Sequence, residues 1–238
     1  MKTSLHLAES FAERLHHHTN PETKAWWENY VKGSAPFLGV KMPKIRSLLH
    51  EWHKEDVDGK LDSREQVNLA LAFFDGEHTE EKLAGTLFLQ EILLPANAID
   101  LEIDLPSFAA LFDDGKLYDW NATDWFCVKV LGPLIAAHGM PWAKRIAAWR
   151  NAENLWRARA SLVAFVKVAG ERAYYDMIEE SCDVLIQRPE RFAKTSVGWI
   201  LRDISKHDEA FVQGVIERNL EDFSTEALKN ATKYFEKS

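Results

Sequence analysis

Three segments of the chain decide its fold class: Trp120-Asn-Ala-Thr-Asp124, Trp156-Arg-Ala-Arg159 and Gly198-Trp199-Ile-Leu-Arg202. Each of them places a tryptophan within four residues of a charged side chain. Trp120 and Arg159 are 39 positions apart, and Arg159 and Trp199 are 40 apart. That interval is close to one HEAT-type helical repeat of about 40–47 residues. Because such repeats stack in one direction, equivalent positions are expected to line up on one concave wall.

Apolar residues recur at helical spacing on both sides of these segments. The first stripe contains Leu5, Phe11 and Leu15, and the pattern continues from Trp26 to Val31 in a second predicted amphipathic helix. No strand-like alternation bounded by hairpin turns occurs. We therefore predict an all-α fold, an α-solenoid of about six HEAT-like antiparallel helix pairs with a concave face, forming a single domain over residues 1–238. An ordinary globular all-α bundle remains the alternative.

Several helix boundaries can be predicted from local signals. Pro43 suits the first turn of a helix that runs through Trp52. Ser63 followed by Gln66 resembles a capping box at the start of the next helix. The acidic stretch from Glu51 to Asp62 is interpreted as a longer loop between these two helices.

Composition limits the class of protein. The chain has 238 residues, 46% of them hydrophobic, and it contains no run of 18 apolar residues that could span a membrane. Residues 1–10 lack the apolar core of a signal peptide. Only two cysteines are present, which suits a reducing compartment. We expect a cytoplasmic protein that does not enter a membrane.

The charge is unevenly distributed along the chain. The net charge is -8, yet residues 51–114 hold 16 acidic and 4 basic side chains, whereas residues 140–206 hold 12 basic and 8 acidic ones. An acidic outer wall with a basic inner groove fits this pattern, and so does an acidic surface with scattered bases. For a polyanionic partner the local footprint matters more than the total charge.

The first candidate site residues are Trp120 and Asp124, which lie four positions apart and share a face if this turn is helical. A carboxylate is seldom buried among indole rings without a basic partner, and Arg159 is a candidate for that pairing. Each residue also has a structural interpretation, because most tryptophans are core and a HEAT-type arginine often binds neighbouring backbone carbonyls.

The second set lies in the third segment. Trp199 and Arg202 share a helix face at i, i+3, and Lys194 precedes them by about a turn and a half. Taken together, one aromatic and charged element per repeat favours a common groove over coincidence. The consecutive His16–His18 and the segment Asp56-Val-Asp58-Gly59 make poor metal sites, so we predict no metal.

At these segments the chain resembles the AlkD-like family of DNA alkylation repair enzymes, which are HEAT-like-repeat DNA glycosylases. Two N-terminal segments, Tyr30-Val-Lys32 and Phe37-Leu-Gly-Val-Lys-Met-Pro-Lys-Ile-Arg46, add to the likeness. The resemblance extends from about residue 8 to residue 236. Order, spacing and residue type agree throughout.

The resemblance implies a function and a set of residues. The expected substrate is duplex DNA that carries cationic N3- or N7-alkylated purines. The protein is expected to hydrolyse the N-glycosidic bond of these purines in base excision repair, as a monomer and without a metal or cofactor. The implied active-site residues are Trp120, Asp124, Arg159 and Trp199. The residues implied to face DNA are Tyr30, Lys44, Arg46, Lys194 and Arg202.

The chemistry of the residues agrees with that implication. Cleavage of the N-glycosidic bond of a cationic base passes through an oxocarbenium-like sugar, which fixed negative charge such as Asp124 stabilises. Two alternatives stay open on the same scaffold. One is a non-catalytic binder of damaged or branched DNA, and the other is a protein-interaction scaffold.

Overall fold

The computed structural model describes residues 2–235, which form α-helices joined by short turns. No β-strand occurs among these residues, so the prediction of an all-α fold is confirmed. None of the described helices is long and apolar enough to cross a membrane. The chain divides into two compact units, Met1–Val130 and Leu131–Ser238. A single domain over residues 1–238 stays a prediction.

Seven α-helices lie among the described residues of the first unit. They are α1 (Lys2–His16), α2 (Pro21–Tyr30), α3 (Met42–Trp52), α4 (Ser63–Ala72), α5 (Thr79–Phe88), α6 (Leu101–Asp113) and α7 (Trp120–Phe126). Within this unit α5 packs between α3 and α7, while α1 packs against α4. The helices α1, α3, α5 and α7 are therefore consecutive neighbours, which is the layering of HEAT-like helix pairs.

The region between α3 and α4 differs from the predicted loop. One π-helical turn, His53–Val57, extends α3 so that most of the acidic stretch is helical. The N-cap of α4 is Asp62 rather than Ser63, and Asp62 and Glu65 form the capping box. An aspartate caps a helix start at least as well as a serine, and here it also has the glutamate at the third helical position.

Phe126, the last residue of α7, is anchored in the core of the first unit. Its ring meets Phe74, Phe108 and Phe112 at centroid distances of 5.7, 5.4 and 6.0 Å. Edge-on aromatic pairs of this kind contribute about 0.5–1.5 kcal/mol each beyond their buried area. These contacts fix the position of α7, the helix that carries the first candidate site residues.

The part of the second unit that the structure describes, residues 131–235, also contains seven α-helices. They are α8 (Gly132–His138), α9 (Met140–Ala147), α10 (Leu155–Val163), α11 (Tyr175–Ile186), α12 (Arg191–Ile204), α13 (Glu209–Asn219) and α14 (Thr225–Ala231). One layer contains α10, α12 and α14 in contact, and the other contains α9, α11 and α13. Two such layers, offset by one helix, form HEAT-like pairs.

Gly198 allows α12 and α14 to approach closely. A Cβ atom at this position would lie 2.6 Å from the carbonyl oxygen of Ala227, so no side chain fits there. The glycine in the sequence segment that preceded Trp199 is therefore explained by backbone packing. The close contact at Gly198 also fixes the backbone position of the next residue, Trp199, relative to α14.

Candidate nucleic-acid interface

Asp119 fixes the start of α7. Its Oδ1 accepts hydrogen bonds from the backbone N–H groups of Asn121 at 2.8 Å and Ala122 at 3.1 Å. This N-cap makes Trp120 the first helical residue and places Asp124 one turn later on the same face. Trp120 and Asp124 are both half-buried. The predicted pairing of these two residues on one helix face is observed.

The start of α7 concentrates negative charge. Burial raises the pKa of the Asp119 carboxyl, and the hydrogen bonds from Ala122 and Asn121 oppose burial only in part. The negative charge of Asp124 raises the pKa of Asp119 further, while Lys82 lowers it. The two carboxyl groups are thus close enough to interact.

Trp120 packs on a small apolar cluster of Val31, Ala35 and Phe37. Its ring also meets Tyr30 with centroids 5.3 Å apart and planes at 62°. Tyr30, whose side chain is 50% exposed, is therefore held beside the first candidate site. The structure brings together two residues that the sequence placed 90 positions apart.

Two further aromatic residues of α2 were missed as site residues. The ring of Trp26, which is 58% exposed, stacks on Tyr30 with centroids 5.2 Å apart and planes at 8°. Trp27 meets Trp26 edge-on and stacks on Phe37. The second helix, predicted from the apolar spacing of Trp26 to Val31, is observed as α2, but α2 buries none of its residues. Its C-cap, Val31, belongs to the apolar cluster, and Trp27 packs against that cluster.

Arg46 and Lys44 differ in what they contact. Arg46 Nε donates to Glu91 Oε1 at 2.7 Å, and His50 Nε2 lies 2.8 Å from the other oxygen of the same carboxylate. Burial raises the pKa of Glu91, but the hydrogen bonds from His50 and Arg46 outweigh it and hold the pKa below its ordinary value. Lys44 is exposed. A DNA contact by Arg46 therefore competes with Glu91.

In the second unit, Arg159 bridges α10 and α12. Only 4% of its surface is exposed, and its Nη1 donates to the carbonyl oxygen of Phe192 at 2.7 Å and to Thr195 Oγ1 at 3.2 Å. Its guanidinium carbon also lies 5.9 Å from the centre of the Trp199 ring. The structural interpretation of Arg159 as a carbonyl-binding arginine is confirmed, and the contact with Trp199 accompanies it.

Trp199 is in contact with two arginines. Arg202 places its guanidinium carbon 5.8 Å from the same indole ring and donates from Nη2 to Asp203 at 3.0 Å. Lys194, on the same helix, donates to the backbone carbonyl of Asp222. The second unit thus places the predicted Arg159 and Arg202 beside the half-buried indole ring of Trp199.

The predicted residues form two groups, Tyr30, Trp120 and Asp124 in the first unit and Arg159, Trp199 and Arg202 in the second. Convergence of the groups on one concave surface, with Arg159 paired to Asp124, stays a prediction. Among the residues that the structure describes, no three His, Cys, Asp or Glu side chains are grouped so that they could hold a metal ion.

The comparisons identify the family. The sequence matches the DNA alkylation repair enzymes over residues 11–235. The chain belongs to this family. The solved structure of a predicted DNA alkylation repair enzyme from Enterococcus faecalis is similar, with a TM-score of 0.79 and 22% sequence identity over 93% of this chain and 98% of the other. At that identity the likeness shows a shared fold. No curated protein matches the chain.

Proposed function

We propose that this repair protein is a DNA glycosylase that hydrolyses the N-glycosidic bond of N3- or N7-alkylated purines in duplex DNA. The observation that carries the proposal is the first turn of α7, where Asp124 lies one turn after Trp120 and within electrostatic reach of Asp119. A half-exposed indole beside fixed negative charge suits a sugar that becomes cationic as the base departs.

The reaction needs little acid catalysis, because the alkylated base is already cationic. The C1′–N bond breaks with both electrons going to the base, which leaves as a neutral purine. The Asp124 carboxylate stabilises the oxocarbenium-like sugar and orients a water molecule toward C1′. Water adds its oxygen to C1′ and releases a proton, so the products are the free base and an abasic site.

The second unit contributes to binding in this proposal. Trp199 and Trp120 contact the sugar and the backbone, where indole faces favour positive charge. Arg202 holds a flanking phosphate. Arg159 is buried and bonded to backbone, so it acts by holding Trp199 in position and by adding positive potential. We further propose that the protein acts in the cytoplasm as a monomer, with no metal or cofactor in the reaction.

The direct test is a base-release assay on duplex DNA that contains N7-methylguanine or N3-methyladenine, performed with a chelator in the buffer. The proposal predicts free methylated base and an equal amount of abasic sites. Tight binding of the same duplex without release, even with enzyme in excess, would support a non-catalytic DNA binder instead.

A salt titration separates both DNA-binding functions from a protein-interaction scaffold. Affinity for a phosphate backbone falls steeply with salt, because binding releases counterions from DNA. A scaffold for a protein partner predicts that no such salt-dependent DNA binding is found.

A further inference from the structure

We propose that the aromatic face of α2 is a second nucleic-acid site, which binds an unpaired nucleotide of a DNA strand by stacking its base on Trp26. Lys41 and Lys44 would hold the adjoining phosphates. The proposal rests on the proposed function only for the choice of DNA as the polymer. It assigns a role to Trp26, which the glycosylase chemistry leaves unused.

The first observation is an exposed stack. Trp26 is 58% exposed and Tyr30 50% exposed, and their rings are parallel and 5.2 Å apart. Trp27 meets Trp26 edge-on at 4.8 Å, which holds the outer ring in place. Large aromatic rings that pack against one another yet stay exposed to solvent are typical of a binding surface. A flat base would extend this stack.

The second observation is a cleft beside the stack. It encloses about 390 Å³ and is lined by Glu22, Thr23, Trp26, Trp27 and Lys41. A neighbouring cleft of about 290 Å³ shares Thr23 and Lys41 with it and adds Lys44. The two clefts therefore lead from the indole rings to a pair of lysines. Their order, aromatic first and cationic next, matches the order of base and phosphate in a nucleotide.

The third observation is local charge. Residues 20–46 contain five lysines and arginines and two glutamates, within a chain of net charge -8. Lys24 lies 3.8 Å from Glu28, and Arg46 pairs with Glu91. Lys41 and Lys44 are exposed and form no ion pair within residues 2–235, while Glu22 is the one carboxylate that lines the clefts among the described residues. The clefts carry a net positive charge that suits a phosphate chain.

The loop before Lys41 is rigidly held. The buried carboxylate of Glu80 accepts three consecutive backbone N–H groups, from Leu38 at 2.9 Å, Gly39 at 2.7 Å and Val40 at 3.1 Å. Gly39 has a φ of 88°, and a Cβ atom there would collide with the carbonyl oxygen of Asn20 at the start of α2. The backbone that leads to Lys41 is thus fixed relative to α2 before any ligand binds, which lowers the backbone entropy lost on binding.

The geometry selects unpaired bases. A base inside a duplex is covered on both faces by its neighbours, so its face is unavailable to an indole. A single strand, a gap or a nucleotide that has rotated out of the helix offers that face. Stacking on an aromatic side chain contributes about 1–3 kcal/mol per base and tolerates any sequence, so the site is expected to show no strong base preference.

The test measures fluorescence anisotropy of an end-labelled single-stranded oligothymidylate without lesions, and of an intact hairpin duplex, at low salt. Trp26→Ala should weaken single-strand binding about ten-fold or more and change duplex binding less than about three-fold, given the stacking strength of one base. Trp26→Phe should restore most of the affinity. Ile103→Ala is the matched control, because Ile103 is equally exposed in the same unit and lies outside the clefts.

Two results would overturn the proposal. One is single-strand affinity of Trp26→Ala within two-fold of the Ile103→Ala control. The other is competition by free thymidine monophosphate as effective as that of the oligonucleotide at equal nucleotide concentration, which would indicate a mononucleotide site. Because these DNAs carry no alkylated base, failure of the glycosylase proposal appears only in the base-release assay and leaves this measurement unaffected.

Discussion

Arg159 places its guanidinium carbon 5.9 Å from the centre of the Trp199 ring while its Nη1 donates to the carbonyl oxygen of Phe192. One buried cation therefore joins the backbone of α12 to the indole that the same helix presents. Cation–π contacts contribute about 0.5–2 kcal/mol, and the contribution is larger when the pair is shielded from water. Any change at Arg159 should affect stability and the position of Trp199 together.

Arg159→Lys tests that relationship. A lysine is a point charge without the planar fork, so it cannot keep the bonds to Phe192 and Thr195 and also cover the Trp199 ring. We expect the free energy of unfolding to fall by about 1–3 kcal/mol, with weaker duplex binding and slower base release. Arg191→Lys, at an exposed ion pair with Glu226, should cost less than about 1 kcal/mol. Equal denaturation midpoints for wild type and Arg159→Lys would contradict this account.

Alanine substitutions at two glycines, Gly198 and Gly214, are expected to change the free energy of unfolding in opposite directions. Gly198→Ala pushes a methyl group to 2.6 Å from the Ala227 carbonyl oxygen, so α12 and α14 must separate, at a cost of about 1–3 kcal/mol. Gly214→Ala lies within α13, and its new methyl group would meet only Arg218 at 3.5 Å. That substitution should stabilise the protein by about 0.5–1 kcal/mol. Thermal denaturation of both variants decides the matter, and a stabilised Gly198→Ala would refute the packing argument.

Glu80→Gln tests the support of the loop at residues 38–40. The glutamine offers one acceptor oxygen, while its amide group faces a backbone N–H that then has no partner. Leaving a buried donor unsatisfied costs about 1–3 kcal/mol. We expect a lower denaturation midpoint and weaker binding of single-stranded DNA, because Lys41 follows this loop. The exposed Glu51→Gln serves as control, and identical behaviour of the two variants would count against the assigned role.

Asp203 makes stability depend on pH. Burial raises the pKa of its carboxyl, but hydrogen bonds from Lys206 and Arg202 outweigh burial and hold the pKa below the ordinary 3.8. Since the folded-state pKa is the lower one, this stabilisation is complete above the unfolded-state value and is lost as pH falls through the folded-state value. Asp203→Asn should therefore destabilise the protein at pH 7 and do so less at pH 3, which lies below the unfolded-state value. Denaturant titrations at both pH values test this, and an equal difference at both would contradict it.

The helices could be predicted from sequence because their apolar stripes coincide with real burial. The loop predicted over Glu51 to Asp62 starts too early, because a π-helical turn follows α3. The cap of α4 was also misplaced, since Asp62 and Ser63 are both good caps and only the reach of Glu65 distinguishes them. Trp26 and Tyr30 have the spacing of the apolar face of an amphipathic helix, but periodicity does not reveal whether another helix covers that face.

The candidate site was predicted in part. The spacing of Trp120 and Asp124 on one helix was a local property and was predictable. The contacts of Tyr30 with Trp120 and of Glu80 with residues 38–40 join segments that are distant in sequence, so no periodic signal encodes them. No sequence pattern indicates that Glu80 is buried. Its role becomes visible only through the backbone N–H groups that donate to its carboxylate, and these precede it by about 40 residues.

The most direct test of the central claim compares base release by Asp124→Asn and wild type on N7-methylguanine duplex DNA, with duplex affinity measured in parallel. The substitution keeps the shape of the side chain and removes the charge that the oxocarbenium-like state requires. We predict release at least about 10²-fold slower, comparable to losing one preorganised electrostatic group worth roughly 3 kcal/mol. Duplex affinity should change little, because a carboxylate does not attract phosphate. Release by Asp124→Asn as fast as by wild type would contradict the catalytic role assigned to Asp124.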